Sequence, residues 1–478
     1  MLGKVYTGRK DIYVSGKEIT EILNNALNEH LTNRAEIDYL YNYYKGKQPI
    51  LEKVKTVRPE INNSVVINHA YEFVNFYVGY VFGEEIQYVS AGDCNSEKHG
   101  QNDNEISRLN QMMREEDKST DDRALAQWLL IGGVAYRMCL PKIEDGDAPF
   151  EFETLDPRNT FVIRSREFKN RPLYGVTYTI DENLGMNGIV YSPTTIYRFQ
   201  GEAGGITAAI TSQSPNALGM IPIVEYKLNP EKMGVFEPVI SALDCLNNIT
   251  SNRMDAIEQF VQSLLVLKNC DIDEETITKL MQLGALMLPT AESDAQMLTA
   301  ELDQLQTQSF VDDLYQTILQ IVGVPDRQAS SGGNTGTALE IGQGWVVAES
   351  RAKSIEKLWI KSEYQFLKIV KNIVDTATTD LDICLSDMFV KFTRNKTSNL
   401  LTKTQGLMNQ LSAGIHPRIA IETIGLYSDP ENVYIESREY LKNMGYKEYD
   451  GNEVTENKVP LNANTEEQET EIIKDTTT

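Results

Sequence analysis

The chain has 478 residues, 41% of them apolar, which is room for about two to four domains and places it outside the disordered class. Its 69 acidic residues outnumber 45 basic ones for a formal charge of −24, which argues against tight, sequence-reading contact with nucleic acid. Five cysteines without a C-x-x-C pair and four isolated histidines offer neither a disulfide framework nor a zinc site, and no stretch is apolar enough for a signal peptide or a membrane span. We therefore expect no cofactor, no metal, no membrane contact, and a protein that works in the cytoplasm or is carried inside something assembled there.

Along the chain, Ile19, Ile22, Leu23, Leu27 and Leu31 recur at helical spacing, and Gly46 with Pro49 closes that helix. "SVV" reads as a short strand, a helix starts at Asn68, and Ile86 to Val89 is again strand-like. The aromatic residues Tyr71, Phe73, Phe76, Tyr77, Tyr80 and Phe82 predict a buried helix, since a platform for bases would have flanking Lys or Arg. Ala91 to Asn104 reads as a surface loop, with helix from there to Ile131 and a stop at Gly132 and Gly133. From Val134 to Leu228, runs such as "VAYRMCL", "NTFVIR", "LYGVTYTI" and "IPIVEYKL" between Pro, Gly, Asn and Asp predict a mostly antiparallel sheet, hence an α+β domain.

Long helices follow. Glu237 to Leu267 and Leu302 to Val322 each carry an apolar side and a polar side rich in Gln, Asn and Asp, with a small insert between them that contains a helix after Asp273 and an apolar "ALMLP". Next comes "SSGGNTGTALEIGQG", Ser330 to Gly344, which lacks the Lys-Ser/Thr pair of a phosphate loop and has no basic residue between Arg327 and Arg351. Thr337 and Glu340 have the spacing of a capping box, so helix is expected from there to about Thr376, with Trp345, Trp359, Phe366 and Val370 on its apolar stripe. "DICLSDMFVKFTRN" reads as one or two strands, and "SNLLTKTQGLMNQL" and "HPRIAIETIG" as short helices, the second started by Pro417. The chain after Gly451 is polar and acidic, the composition of a disordered tail.

In order and spacing, "YNYYKGKQPI", "INNSVVINHAYEFVNFYVGYVFGEEIQY", "FEPVISALDCLNNITSN", "GGNTGTALEI" and "VKFTRNKTSN" resemble the portal proteins, or head-to-tail connectors, of tailed bacteriophages, in the branch found in long-tailed phages of Gram-positive hosts. The resemblance runs from about Ile19 to Met444. It implies a portal fold: an α/β wing (1–235), a first stem helix (236–267), a small α/β clip (268–301), a second stem helix (302–323), a tunnel loop (324–336), a long wing helix (337–376), a strand region between wing and crown (377–400), crown helices (401–450) and a disordered acidic tail (451–478). It also implies a virion component, a twelve-fold homo-oligomeric ring at one capsid vertex. Its partners would be the terminase large subunit, a head-tail adaptor, the major capsid and scaffolding proteins, and double-stranded DNA in non-specific transit.

On that resemblance Ser330, Ser331, Gly332, Gly333, Asn334, Thr335 and Gly336 form the tunnel loop, Thr337 and Glu340 cap the next helix, and Asn248, Asp255, Gln308, Asp312 and Gln316 are the stem residues expected to face the channel. Arg253 is the one basic residue between Glu237 and Leu267, so the expected channel wall presents little charge to hold phosphates. Two other readings remain. A helical scaffold or adaptor protein would have no tunnel. An acidic hydrolase would use a carboxylate pair such as Asp121 with Asp122 or Asp312 with Asp313, but neighbours on a helix diverge, and solvated surface is the expectation for both pairs.

Overall fold

A computed structural model describes residues 8–14, 16–56, 59–90, 96–143, 146–202, 207–261, 264–268, 294–298, 304–326, 344–377, 384–394, 400–424, 426–427 and 430–443. Two compact units divide at Asn399 and Leu400. Helices and sheets segregate within the first, the expected α+β class.

Helix α1 (Ile19–Tyr44) buries Ile22, Leu23, Ala26 and Leu27 at three- and four-residue spacing. Those residues pack on a six-stranded sheet of β1 (Ile12–Tyr13), β5 (Thr160–Arg164), β6 (Pro172–Ile180), β7 (Gly185–Tyr191), β8 (Thr195–Glu202) and β9 (Thr207–Pro215), in that order. The pairing is antiparallel throughout except for β1 beside β5. Strand β9 has no counterpart among the sequence runs. It is held from outside the sheet, where Asn24 of α1 accepts from the Ala208 amide at 2.8 Å and donates to its carbonyl at 3.2 Å.

A second sheet, β10 (Ile223–Lys227), β3 (Val134–Pro141) and β4 (Phe150–Leu155), lies under α4 (Lys118–Gly132). One residue, Gly133, joins α4 to β3 at φ +76°, and a Cβ there would lie 2.2 Å from the Lys232 carbonyl oxygen. Only glycine fits that turn. Helix α2 (His69–Val81) starts where expected, with the Asn68 side chain accepting from the Tyr71 amide at 3.3 Å. The expected surface loop is shorter than read, because α3 (Ser96–Glu115) already begins at Ser96. Asp117, at φ +48°, then separates α3 from α4.

Beyond the sheets lie α5 (Ile240–Val261), α6 (Gln304–Val322) and the long α7 (Trp345–Ala377). The helix expected to reach Leu267 ends at Val261, and Leu264–Lys268 is strand β11, antiparallel to β12 (Asp294–Leu298). The apolar stripe of α7 is as expected from Ala348 onward, where Ala348, Ala352, Ile355, Trp359, Phe366, Val370 and Ile373 are buried, while Trp345 at its start is only half-buried. The described part of this helix begins at Trp345, directly after Gly344 at φ +83°, and the cap expected at Thr337 lies outside the described residues. Trp359 is fully buried, with its ring 4.5 Å from Phe82 and 4.8 Å from Tyr226, so it joins α2, the second sheet and α7 in one core. After α7 the chain returns to this unit: β13 (Met388–Lys391) pairs antiparallel with β2 (Gln87–Ser90).

The second unit contains α8 (Leu400–Ser412), α9 (Pro417–Ile424) and α10 (Pro430–Asn443), each packed on the next. Pro417 opens α9 as its ring predicts. Residues 444–478, with the expected acidic tail, lie outside the described residues, as do the expected clip helix after Asp273 and the "ALMLP" run.

Candidate functional site

Helices α5 and α6 pack against each other and are fastened to the rest of the first unit at their bases. Below α5, the buried Glu237 carboxylate accepts from Arg9 Nη2 at 2.5 Å and from the Gly234 amide at 2.9 Å. At the end of α6, the Tyr77 hydroxyl donates to the Val322 carbonyl at 2.9 Å and Arg351 Nη2 donates to that of Ile321 at 2.5 Å. The β11–β12 pair follows α5 and precedes α6 in the chain.

Of the five stem candidates, Asn248, Gln308, Asp312 and Gln316 are exposed. The structure brings Gln308 and Asp312 together on one turn, Nε2 donating to Oδ1 at 2.6 Å, while Gln308 Oε1 accepts from Arg253 Nη1 of α5 at 2.8 Å. The single arginine of this helix is thereby engaged with the neighbouring helix. Asn248 stands apart and donates to the Asp244 carbonyl at 2.9 Å. Asp255 departs from the expected set. It is buried, and its carboxylate accepts from Lys53 at 3.0 Å, from Lys55, and from the amide and side chain of Asn63 at 2.7 and 2.9 Å. Burial tends to raise its pKa, but these donors outweigh that effect and hold it below the usual carboxylate range.

Asp255 ends a row of contacts that single-helix periodicity does not reveal. Asn247, Ser251 and Asp255 accept the amides of Ile67, Val65 and Asn63, at 2.9, 2.9 and 2.7 Å. Four residues of helix rise about 6 Å and two residues of extended chain advance about 6.6 Å, so a polar side chain at every fourth residue of α5 meets every second amide of the segment. The "SVV" run, expected as a strand, thus has its Val65 amide, and the flanking amides of Asn63 and Ile67, bonded to a helix's side chains.

Residues 327–343, including the loop Ser330 to Gly336 and the cap pair Thr337 and Glu340, lie outside the described residues. The segments on either side are placed. Gly323, after α6, has φ +76°, and Gly344 accepts from the Val347 and Ala348 amides at 3.1 and 3.2 Å as α7 begins.

The pair Asp121 and Asp122 is a correction to the solvated reading. Arg137, fully buried, donates from Nε to Asp121 at 2.7 Å and from Nη2 to Asp122 at 2.5 Å. Lys118 joins Asp122 at 2.6 Å to Glu363 of α7 at 2.9 Å, and Tyr88 and Tyr226 donate to the two Glu363 oxygens at 2.7 and 2.8 Å. Burial acts to raise Glu363, but Lys118 and Arg137 outweigh it and hold it at about 2. Every Glu363 oxygen is saturated by donors, which suits a structural joint better than a general base. By contrast, Asp312 and Asp313 are exposed as expected. The cavity bounded by Arg9, His30, Asn33, Tyr136, Glu225 and Lys232 measures about 10 Å³, room for one water and no organic substrate. Among the described residues no group of His, Cys, Asp and Glu could hold a metal ion, and no helix is long and apolar enough to cross a membrane.

Sequence comparison gives this geometry a context. The family described as phage portal protein, SPP1 Gp6-like, matches residues 23–453. A curated relative, the portal protein of Bacillus phage SPP1, is 21% identical over an alignment of 506 residues that covers 92% of this chain and 94% of the relative.

Proposed function

The chain belongs to the SPP1 Gp6-like family of phage portal proteins, structural components of the bacteriophage capsid, and from that premise we propose that it closes into a ring, of twelve copies, at one capsid vertex. In this reading the ring is the channel through which a terminase large subunit drives double-stranded DNA. It meets major capsid and scaffolding proteins during assembly and afterwards docks a head-tail adaptor. Residues 1–235 serve as wing, α5 and α6 as stem, β11 with β12 and the chain between them as clip, α7 as the long wing helix and the second unit as crown.

The observation that supports a ring most directly is the surface of the paired helices. Met254 and Ile257 on α5 and Phe310 and Ile321 on α6 are about half exposed beside polar Asn248, Gln308 and Gln316. Large apolar groups exposed on a helix pair gain by burial against a second copy, and head-to-tail contacts close into rings when the rotation permits. The polar residues then suit a wall along which DNA slides, because neutral amides neutralise no phosphate. Negative-stain images of the purified protein test this: closed rings with an axial hole are expected, and a chain that stays monomeric at every concentration, with and without capsid partners, overturns it.

A further inference from the structure

The outward face of α7 is basic although the chain is strongly acidic. From 353 to 368 its exposed positions are Lys353, Ser354, Lys357, Lys361, Gln365 and Lys368. None is acidic or apolar. The carboxylates within and just before this stretch have partners on other elements: Glu349 accepts from Arg394 at 2.6 Å and Tyr80 at 2.7 Å, Glu356 binds Arg394, and Glu363 is buried against Lys118. Lys353 lies 3.7 Å from Glu349, while Lys357, Lys361 and Lys368 have no ion-pair partner among the described residues. Lys353, Lys357 and Lys361 are each one turn from the next, where like charges repel and weaken a helix. Neither local stability nor the packing of α7 accounts for the stripe.

We propose that Lys353, Lys357, Lys361 and Lys368 form a track that binds the phosphate backbone of double-stranded DNA weakly and without sequence preference. The row extends about 22 Å along the helix axis, over which a duplex presents about 13 phosphates, more than enough for one per lysine. A protein partner fits less well, since interface cores are depleted in lysine and require apolar anchors, and the exposed large apolar residues of α7, Val346 and Val347, lie at its start, before the lysine row. Four point charges give modest affinity and strong salt dependence, so contacts form and release as DNA moves. The inference rests on the portal reading for its choice of nucleic acid, and it locates the contact on a helix face instead of the glycine-rich loop.

The test is fluorescence anisotropy of a labelled 30-base-pair duplex, in about 50 to 300 mM NaCl, on the full-length protein as it assembles, with images of the same samples. Four phosphate contacts predict a slope of log K against log salt of about −3 to −4. The triple variant Lys357→Gln, Lys361→Gln, Lys368→Gln should flatten that slope to about −1, and Lys17→Gln with Lys47→Gln, exposed lysines elsewhere, should leave it unchanged. An unaltered slope in the triple variant overturns the proposal. So does binding of polyglutamate without binding of duplex, or loss of rings in the triple variant, which would make the stripe a contact between copies. Images without rings in the unsubstituted protein count against the portal reading, and the anisotropy of that sample still decides the track.

Discussion

His30 shows how one buried side chain ties stability to pH. Its ring stacks on Phe161 at 4.4 Å, and Nε2 donates to the Arg158 carbonyl at 3.2 Å. Burial lowers its pKa from 6.5 to about 4. The sign follows from proton counting: between those values the unfolded chain binds a proton that the folded chain refuses, so stability falls as pH drops below 6.5, by about 2 kcal/mol at pH 5. Carboxylates such as Glu363, held low by its partners, lose their contribution only in more acid solution, but burial raises Glu237 and Glu356 toward this window, so the histidine's share is read from a His30 variant and not from the window alone. Replacing His30 with Gln should flatten the decline of the urea midpoint in that window; an equally steep decline in the variant would show that another group titrates. Trp359 tests packing. Its removal to Ala should cost about 3–5 kcal/mol through the cavity left between Phe82 and Tyr226, and ring yield should fall further than helix content. An unchanged melting temperature would show that the core does not depend on that ring.

At the scale of elements, the contact between α5 and residues 63–67 makes a separable prediction. Ser251→Ala leaves the Val65 amide without its acceptor, a loss of about 1–3 kcal/mol, and amide exchange at Asn63, Val65 and Ile67 should quicken about tenfold or more. Unchanged exchange at all three would mean that the segment is held by its flanks. This contact also explains what the sequence displayed and what it hid. The core stripe of α7, the start of α2 at Asn68 and the antiparallel strands were legible because burial and capping repeat at fixed local spacings. "SEKHGQNDNE" at the start of α3 has no apolar period to read, and "LLVLK" fits a strand or a buried helix equally well. Asp255 was expected to face a channel and Asp122 to be solvated, because their partners Lys53 and Arg137 lie on other elements. A carboxylate's role was therefore the least readable property of this chain, and four of the five stem candidates remain exposed while the fifth is a tether.

At the scale of the whole molecule, charge decides how a portal of this kind could let DNA pass. The chain carries −24 overall, and the residues between Arg327 and Arg351 include no cation. In the proposed ring, Ser330 to Gly336 would form a constriction of small neutral side chains that neutralises no phosphate of a passing duplex. Cation number at this point is the variable that separates a channel lining from a structural joint. Substituting Asn334→Lys and Thr335→Lys in every copy would place two cations per subunit around one opening, and the sum over the ring would act on the duplex as a salt-sensitive collar. Rings should still form, because Trp359 and the rest of the described core lie outside the loop. Packaging measured as DNA protected from nuclease should slow or stall, then partly recover as added salt shortens the screening length. Normal packaging by assembled double-lysine rings at low and high salt alike would remove the loop from the channel. Failure to assemble would make it a joint between copies, and the passage of DNA would then depend on the stem wall and the lysine row of α7.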